Sequence, residues 1–431
     1  MNFRSLLLAG ALLSAAGANA QTWVSDSITQ GPAYATDVWY SMANGTVNSA
    51  SNKMWSMAFA TAPQMSLGSV AVWINPNDTV TLWSISVPGA DFDAATFADT
   101  TGKVRRWNGP TSWADGAFNS NSAGFPSYGW GTYDADVTHQ VYGDSLYMMQ
   151  VNTQFYKVFI KDFISDIDGN GTDTSHWTFR IAQMDGTGDT TIRINMADYG
   201  KKNFAYYDAP SRTMMSRDPD SSTWDVLFTR YTDSLNTGGG FGPTTTAGAL
   251  LNHRVKAAQV DNISPDTVMY NNYAYESTLN VIGWDWRTAD QTGNFTTDTN
   301  RTYFIKARDG AYWQMVITRF TGTSNSKTVF KKRKVAMTGV ANVASSVQRF
   351  LVSPVPANNN INLVLEAANG AGQGQVAITD MSGRVVYQAG IRVGAGMNAY
   401  GIQTGNLPAG NYILTARGEG FAVSQQVVIA R

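Results

Sequence analysis

The chain has 431 residues, enough for two or three domains of ordinary size, and a formal net charge of −1. A nearly neutral chain does not suit a partner held mainly by charge, so we expect no nucleic-acid partner. The sequence contains no cysteine, which excludes disulfides, thiolate metal sites and cysteine nucleophiles. Its abundant Trp, Tyr and Phe residues and its frequent short β-branched runs predict a mostly β fold.

Residues 1–20 are predicted to be a signal peptide. Arg4 supplies a positive charge, residues 6–16 are apolar, and Ala18-Asn19-Ala20 forms a small-residue cleavage site. The apolar run is too short to cross about 30 Å of hydrocarbon. No later stretch is apolar enough to predict a transmembrane span.

An aromatic pattern occurs twice, which predicts an internal repeat with copies at 21–200 and 201–337. Both copies have an aromatic strand, then a strand that follows a Trp, and finally an aromatic hairpin. In the first copy these segments are 37–40, 55–59 and 145–160, and in the second they are 203–207, 224–228 and 302–317.

Two further hairpins are predicted from turn residues between β-branched runs. In the first copy, residues 70–74 and 80–85 flank Asn75-Pro76-Asn77-Asp78. In the second copy, residues 303–307 and 312–320 flank Asp309-Gly310, a pair that is typical of hairpin turns.

One loop of the first copy suggests a cation site. Asp166, Asp168 and Asn170 place oxygen ligands at alternate positions beside glycines, as calcium prefers. The glutamate that usually closes such a loop is missing, because position 177 is Trp. The alternative is a polar hairpin tip between Phe163 and Phe179.

The last part of the chain has a different character. A small, polar linker is predicted at 338–349, after the basic run 331–334, which we interpret as a solvated strand end. Residues 350–431 contain no Trp, and alternating runs at 361–365, 375–379, 384–387, 411–416 and 423–429 predict a small β-sandwich.

The C-terminal module resembles the C-terminal sorting domain (type A) of the Bacteroidota type IX secretion system. The resemblance is carried by residues 353–357, by Thr379-Asp380-Met381-Ser382-Gly383-Arg384, by Asn406-Leu407-Pro408-Ala409-Gly410 and by a last strand running to Arg431. It implies export by Sec, recognition of residues 350–431 by the type IX machinery, and a product that is secreted or on the outer cell surface. Attachment to surface lipopolysaccharide is a further possibility that the family implies.

The aromatic repeats resemble the HmuY-like haem-binding family. The similarity lies in Tyr206-Tyr207, in the segment 224–231 and in the hairpin 302–320. It implies a haem cofactor held by two His or Met ligands on neighbouring segments. The candidates in the second copy are Met214, Met215, His253 and Met269. Those in the first copy are Met65, His139, Met148 and Met149.

A surface adhesin or carbohydrate-binding protein without haem is the alternative function. Trp107, Trp113 and Trp130 lie in polar loops and could stack on sugars, although Trp residues also fill cores. No nucleophile elbow, zinc-protease motif or phosphate loop occurs, so we expect no enzymatic activity.

Overall fold

The computed structural model describes residues 22–61, 70–76, 80–165, 174–236, 238–262, 264, 270, 273–335, 347–367, 372–418 and 421–430. The chain divides into two compact units, Gln21–Val335 and Ala336–Arg431. The predicted signal peptide at 1–20 and calcium loop at 166–173 lie outside the described residues, as do positions 338–346 of the predicted linker. The fold is mostly β, as predicted.

The larger unit is built almost entirely from strands. In chain order they are β1 (Val24–Thr29), β2 (Thr36–Ser41), β3 (Gly45–Ser51), β4 (Met57–Ala60), β5 (Val72–Ile74), β6 (Val80–Pro88), β7 (Val104–Arg106), β8 (Gly131–Tyr133), β9 (Val141–Gly143), β10 (Ser145–Val151), β11 (Gln154–Ile164), β12 (His176–Gln183), β13 (Thr190–Asn195), β14 (Phe204–Asp208), β15 (Thr213–Met215), β16 (Val226–Asn236), β17 (Phe241–Leu251), β18 (Lys256–Val260), β19 (Arg287–Ala289), β20 (Phe295–Thr297), β21 (Thr302–Lys306), β22 (Tyr312–Phe320) and β23 (Lys327–Val335). Short 3₁₀ turns lie at Pro32–Tyr34, Gly89–Asp91, Phe97–Thr100, Ala117–Asn119 and Met196–Tyr199.

These strands form four main sheets that stack in layers. The outer layers are a five-stranded sheet, β1-β23-β22-β21-β18, and an eight-stranded sheet built on β13-β12-β11-β10-β6-β7. The inner layers are two four-stranded sheets, β17-β16-β2-β3 and β15-β14-β4-β5. Strands β19 and β20 form a separate two-stranded pair.

Three apolar clusters fill the three gaps between the layers. One joins the five-stranded sheet to β17-β16-β2-β3, a second joins the eight-stranded sheet to β15-β14-β4-β5, and a third lies between the two inner sheets. The inner strands β2, β4 and β14 are therefore buried on both faces along nearly their whole length. This explains why their sequences are apolar throughout instead of alternating.

The two sequence copies are interleaved in this stack. In one inner sheet, β2 from the first copy pairs with β16 from the second, and in the other, β4 from the first pairs with β14 from the second. The predicted division near residue 200 therefore separates two copies but not two compact units. Neither copy can complete an inner sheet by itself, because each inner sheet takes strands from both.

Matching hydrogen bonds join the copies at equivalent places. The backbone N–H of Asp225 donates to the carbonyl of Tyr40 at 2.8 Å, and that of Ser56 donates to the carbonyl of Tyr207 at 2.7 Å. The strand that follows each Trp is thus held by the aromatic strand of the other copy.

The hairpin predictions had different outcomes. The hairpin at 303–320 is confirmed as β21 paired with β22, and Gly310 adopts a positive φ of 81° in its turn. The aromatic hairpin of the first copy is also confirmed as β10 paired with β11. The hairpin predicted across 70–85 is wrong. Strand β5 pairs with β4 in an inner sheet, whereas β6 joins the eight-stranded outer sheet, so the two strands belong to different layers.

The smaller unit is a two-sheet sandwich, as predicted. Its strands are β24 (Val347–Ser353), β25 (Asn360–Ala367), β26 (Gly372–Asp380), β27 (Val385–Val393), β28 (Gly396–Gln403), β29 (Gly410–Gly418) and β30 (Phe421–Ile429). The sheets β24-β25-β28 and β27-β26-β29-β30 share one aliphatic core. Strand β24 begins three residues before the predicted start at 350, so residues 347–349 belong to a strand and not to a linker.

Candidate functional site

A pocket opens among aromatic side chains between the two inner sheets. Its cavity holds about 50 Å³. We call it the aromatic pocket, and its lining consists of Asp37, Trp55, Ala58, Trp73, Pro76, Trp113, Phe204, Tyr206, Arg217, Leu227, Thr229, Arg230, Tyr231 and Leu250.

Stacked rings fix the walls of the pocket. The rings of Trp55 and Tyr206 meet edge to face with centroids 5.1 Å apart, and those of Trp73 and Trp113 lie 5.3 Å apart. The indole N–H of Trp73 donates to the carbonyl of Trp113 at 2.9 Å, and that of Trp113 donates to the carbonyl of Leu251 at 3.0 Å. The loop that carries Trp113 is thereby tied to strands of both inner sheets.

A buried ion pair supplies the polar part of the pocket. Nη2 of Arg217 lies 2.7 Å from Oδ2 of Asp37, and the two side chains are 8% and 4% exposed. Oδ1 of Asp37 accepts a hydrogen bond of 2.6 Å from the hydroxyl of Thr229. Burial has the largest single effect and lowers the pKa of Arg217, but Asp37 and Tyr206 together raise it by more, so the guanidinium stays charged.

Arg217 also packs against aromatic faces. Its Cζ lies 5.0 Å from the ring centre of Tyr206, 5.3 Å from that of Trp39 and 5.7 Å from that of Trp55. Cation–π contacts of this kind are strongest in desolvated sites. They hold the guanidinium in one position at the edge of the cavity.

The neighbouring residue, Asp218, is a second buried acid. Burial raises its pKa to about 7, although Oδ2 accepts a hydrogen bond of 2.9 Å from the backbone N–H of Asn203. Its other oxygen, Oδ1, has no hydrogen-bond partner among the described residues. Asp218 is therefore hydrogen-bonded to the residue that precedes Phe204, which belongs to the pocket wall.

The structure separates the candidate haem ligands of the second copy. Met214 packs against the core of the eight-stranded sheet, whereas its neighbour Met215 packs against the aromatic cluster between the inner sheets. Adjacent strand residues point to opposite faces, so these two cannot grip one iron together. His253 lies beyond β17, where its Nε2 accepts from Arg254 at 3.2 Å and burial lowers its pKa to about 4. Met269 lies outside the described residues.

The remaining candidates are similarly dispersed. Met148 and Met149 are buried in two different clusters, and His139 contacts the hydroxyl of Tyr133 at 3.3 Å. Met65, Asp166, Asp168 and Asn170 lie outside the described residues. Among the residues that are described, no group of three His, Asp or Glu side chains could hold a metal ion. Haem and calcium therefore stay predictions.

The three loop tryptophans also differ from one another. Trp113 lines the aromatic pocket, whereas Trp130 is fully buried and its N–H donates to the carbonyl of Val70 at 3.0 Å. Trp107 is half-buried beneath the guanidinium of Arg105, with the Cζ 3.7 Å from the ring centre. Sequence reasoning missed Asp37 and Arg217, because no local motif joins two residues that are 180 positions apart.

Comparison with known proteins identifies only the C-terminal unit. Residues 351–430 match the family model of the secretion system C-terminal sorting domain. No curated protein matches the chain. The family match lies outside the segments that suggested an HmuY-like relationship, so that resemblance stays a prediction.

Three solved structures have low similarity to the chain. Dimeric latent PorU from Porphyromonas gingivalis is 10% identical over 91% of this chain and 40% of its own, with a TM-score of 0.17. The BSP domain of a biofilm-associated protein is 9% identical over 91% of this chain and 83% of its own, with a TM-score of 0.18. A tetra-tandem repeat from the extending region of a large adhesion protein is 13% identical over 82% and 92%, with a TM-score of 0.17. Scores this low establish no shared fold. The chain spans less than half of the PorU chain.

The sorting domain determines where the protein is sent. Within the described ranges, no helix is long and apolar enough to cross a membrane. The family match agrees with the sandwich fold of β24–β30 and confirms the resemblance found in the sequence. The protein thus carries a type IX secretion sorting domain at residues 351–430 and is exported to the cell surface or the medium.

Proposed function

We propose that the exported protein is a non-enzymatic binding protein whose aromatic pocket receives part of a carbohydrate. The observation that carries the proposal is the combination, in one pocket, of aromatic walls with the Asp37–Arg217 pair. Aromatic rings contact the apolar faces of sugars, and a few fixed polar groups orient the ligand.

The size of the cavity limits what can enter. Sites that enclose a drug-sized ligand hold about 300–1,000 Å³, whereas this cavity holds about 50 Å³. One water molecule has a share of about 30 Å³ in the liquid. The cavity therefore suits one small substituent, such as an acetyl or methyl group, while the rest of the glycan stays outside. An enclosed haem would need a much larger space.

Polar contacts are available to such a substituent. Each carboxylate oxygen of Asp37 accepts one side-chain hydrogen bond and has capacity for another. The indole N–H of Trp55 has no hydrogen-bond partner among the described residues. A ligand that supplies hydroxyl or amide groups here would complete these contacts.

The proposal is tested with the purified mature protein on a glycan array, followed by calorimetry on the best ligand. Trp55→Phe keeps an aromatic ring but removes the N–H and shrinks the wall. We expect it to weaken binding about tenfold, which corresponds to 1.4 kcal/mol. Trp107→Phe, outside the pocket, is the matched control and should bind as the wild type does. Both variants are checked for unchanged thermal unfolding.

Two results would overturn the proposal. One is equal loss of binding in both Trp variants, and the other is an array without any ligand at micromolar protein. The same preparation is titrated with haem. A saturable Soret band that is lost in Met214→Ala or His253→Ala would instead favour the HmuY-like function that the sequence resemblance implies.

We also infer that some molecules of the mature protein stay attached to surface lipopolysaccharide. The sorting-domain match supports this inference. Mass spectrometry of the surface-released protein tests it. We expect a mass above that of the polypeptide alone, and a purely peptidic C terminus would contradict it.

A further inference from the structure

A second cavity opens at the edge of the five-stranded sheet, beside β18. It holds about 410 Å³, which lies in the range of about 300–1,000 Å³ that is usual for sites of small ligands. We call it the edge cavity, and its lining consists of Ala258, Gln259, Tyr273, Ala274, Glu276, Thr278, Asn280 and Val281. Unlike the aromatic pocket, the edge cavity is large enough to enclose much of a small molecule.

The segment 273–281 forms one wall of the edge cavity and is fixed in place. The backbone N–H of Glu276 donates to the carbonyl of Ala257 at 2.8 Å, and the N–H of Ala257 donates to the carbonyl of Glu276 at 2.9 Å. The ring of Tyr273 stacks on that of Phe304, with the two centroids 5.7 Å apart. The wall is thus ordered before any ligand binds, which lowers the entropic cost of binding.

The two amide side chains of the lining have a defined orientation. Nε2 of Gln259 donates to Oδ2 of Asp261 at 2.9 Å, and Nδ2 of Asn280 donates to Oδ2 of Asp233 at 3.3 Å. Because a carboxylate only accepts hydrogen bonds, each amide nitrogen must face its acid, and each amide oxygen must point away from it. Neither amide oxygen receives a hydrogen bond from the residues that the structure describes, so both can accept one from a ligand.

Glu276 supplies the only charge in this lining and is exposed at the rim. Its carboxylate has no ion pair or hydrogen bond with any described residue, and the hydroxyls of Tyr273 and Thr278 are unpaired in the same part of the chain. The edge cavity thus presents a carboxylate and two amide oxygens beside two hydroxyls. A ligand with several hydrogen-bond donors and one positive charge complements such a set.

We propose that the edge cavity binds an amino sugar in its protonated form. The ammonium group would pair with Glu276, and ring hydroxyls would donate to the amide oxygens of Gln259 and Asn280. The ring of Tyr273 supplies apolar surface for the C–H groups of the sugar. Charge and hydroxyls are recognised by different side chains, so a ligand must carry both to satisfy the whole lining.

This inference does not depend on the function proposed for the aromatic pocket. The edge cavity and the aromatic pocket share no lining residue. Asp233 connects them, because its Oδ2 accepts from Asn280 at 3.3 Å and from the hydroxyl of Tyr231, a residue of the aromatic pocket, at 3.2 Å. The two sites are therefore chemically distinct and can be tested with different ligands.

The experiment titrates the full mature protein with glucosamine, glucose and cyclohexylamine in a calorimeter, at mildly acidic pH where the amines are protonated. Glucose lacks the charge and cyclohexylamine lacks the hydroxyls, so we expect glucosamine to bind most tightly. Glu276→Gln should weaken glucosamine binding about fivefold, because an ion pair at an exposed rim contributes modestly. The same variant should leave glucose binding unchanged.

Three further variants serve as controls. Asp136→Asn removes the same charge from an exposed position outside the lining and should not change glucosamine binding. Ala274→Trp places a large side chain at the exposed rim and should abolish binding of glucosamine and glucose alike. Trp55→Phe, in the aromatic pocket, should have no effect on either ligand, so the two proposals can fail separately. Thermal unfolding checks that each variant is folded.

The proposal is wrong if glucosamine does not bind at millimolar concentration. It is also wrong if cyclohexylamine binds as tightly as glucosamine, which would indicate attraction of charge alone, or if glucose does, which would leave Glu276 without a role. Equal weakening by Glu276→Gln and Asp136→Asn would likewise contradict it, because binding would then depend only on net charge.

Discussion

The two sequence copies perform the same structural task with different chemistry. At equivalent positions, the first copy has Ser56 and the second has Asp225. The hydroxyl of Ser56 accepts a hydrogen bond of 3.0 Å from the backbone N–H of Ala209. The carboxylate of Asp225 accepts one of 2.8 Å from the backbone N–H of Met42 and also pairs with Arg308 at 2.8 Å.

A second pair of positions differs in a way that matters for the pocket. Asp37 and Thr229 are neighbours in one inner sheet, and their equivalents in the other inner sheet are Phe204 and Ala60. The framework is shared, since Asn75 and Asn252 each donate to a Trp carbonyl, that of Trp55 at 2.9 Å and that of Trp224 at 2.8 Å, respectively. The framework is thus nearly symmetric, but only the Asp37–Thr229 site is polar, while the equivalent Phe204–Ala60 site is apolar. This difference gives the aromatic pocket its polar groups.

Removing the buried carboxylate should have the largest effect. Asp225→Ala leaves Arg308 and two backbone N–H groups without their acceptor, and we expect a loss of about 3–5 kcal/mol in unfolding free energy. Ser56→Ala, its equivalent, should cost about 1–2 kcal/mol. Urea unfolding measures both, and equal losses would break the comparison.

Breaking the pocket ion pair should have a similar but smaller effect. Arg217→Met removes the cation that pairs with the buried Asp37 carboxylate. We expect the free energy of unfolding to fall by about 3 kcal/mol. The double variant Asp37→Leu/Arg217→Met makes this site apolar, like its equivalent, and should recover most of that stability. Thermal and urea unfolding test this, and a double variant that is no more stable than the single one would contradict it.

The buried acid beside the pocket should make stability depend on pH. Because the folded-state pKa of Asp218 is about 7 and the unfolded value is about 3.9, the folded protein holds the proton more tightly. Its contribution to stability is therefore lost as pH rises from about 4 to about 7. The free energy of unfolding should differ between pH 5 and pH 7, and Asp218→Asn should reduce that difference by about 2 kcal/mol. Urea unfolding at the two pH values measures it. An unchanged pH profile would show that Asp218 titrates normally.

Calcium should have the smallest effect, if the loop 166–173 binds it. This loop follows β11 of the first copy, and the equivalent connection in the second copy, between β22 and β23, lacks the acidic pattern. If the Kd is about 1 mM, calcium at about 10 mM would increase the free energy of unfolding by about 1.4 kcal/mol. The melting temperature would rise by about 1–3 °C. Asp166→Asn/Asp168→Asn should abolish the shift. Calorimetry without heat at millimolar calcium would remove the prediction.

Local sequence features predicted local structure well. The Asp309-Gly310 turn gave a hairpin because the turn geometry is specified by those two residues alone. The hairpin predicted around Asn75-Pro76 failed because two strands joined by a turn can belong to facing sheets as well as to one sheet. The turn residues are compatible with both arrangements, and only the packing of layers decides between them.

The candidate site was harder to predict than the fold. Trp55, Trp113 and Tyr206 stood out as aromatic residues, but nothing local indicated that they share one cavity. Met214 and Met215 were grouped by composition, and the strand places them on opposite faces. Side chains that meet across sheets leave no spacing pattern in the chain.

The sequence by itself determined the mostly β fold and the C-terminal address, and it predicted two related copies. Each of these depends on residues that are close together or on strand periodicity, which a short segment encodes. Only the tertiary structure decided that strands from both predicted copies share the inner sheets and that Asp37 meets Arg217. These features depend on which strands pair and which sheets stack, and that choice is made by burial of apolar surface over the whole unit.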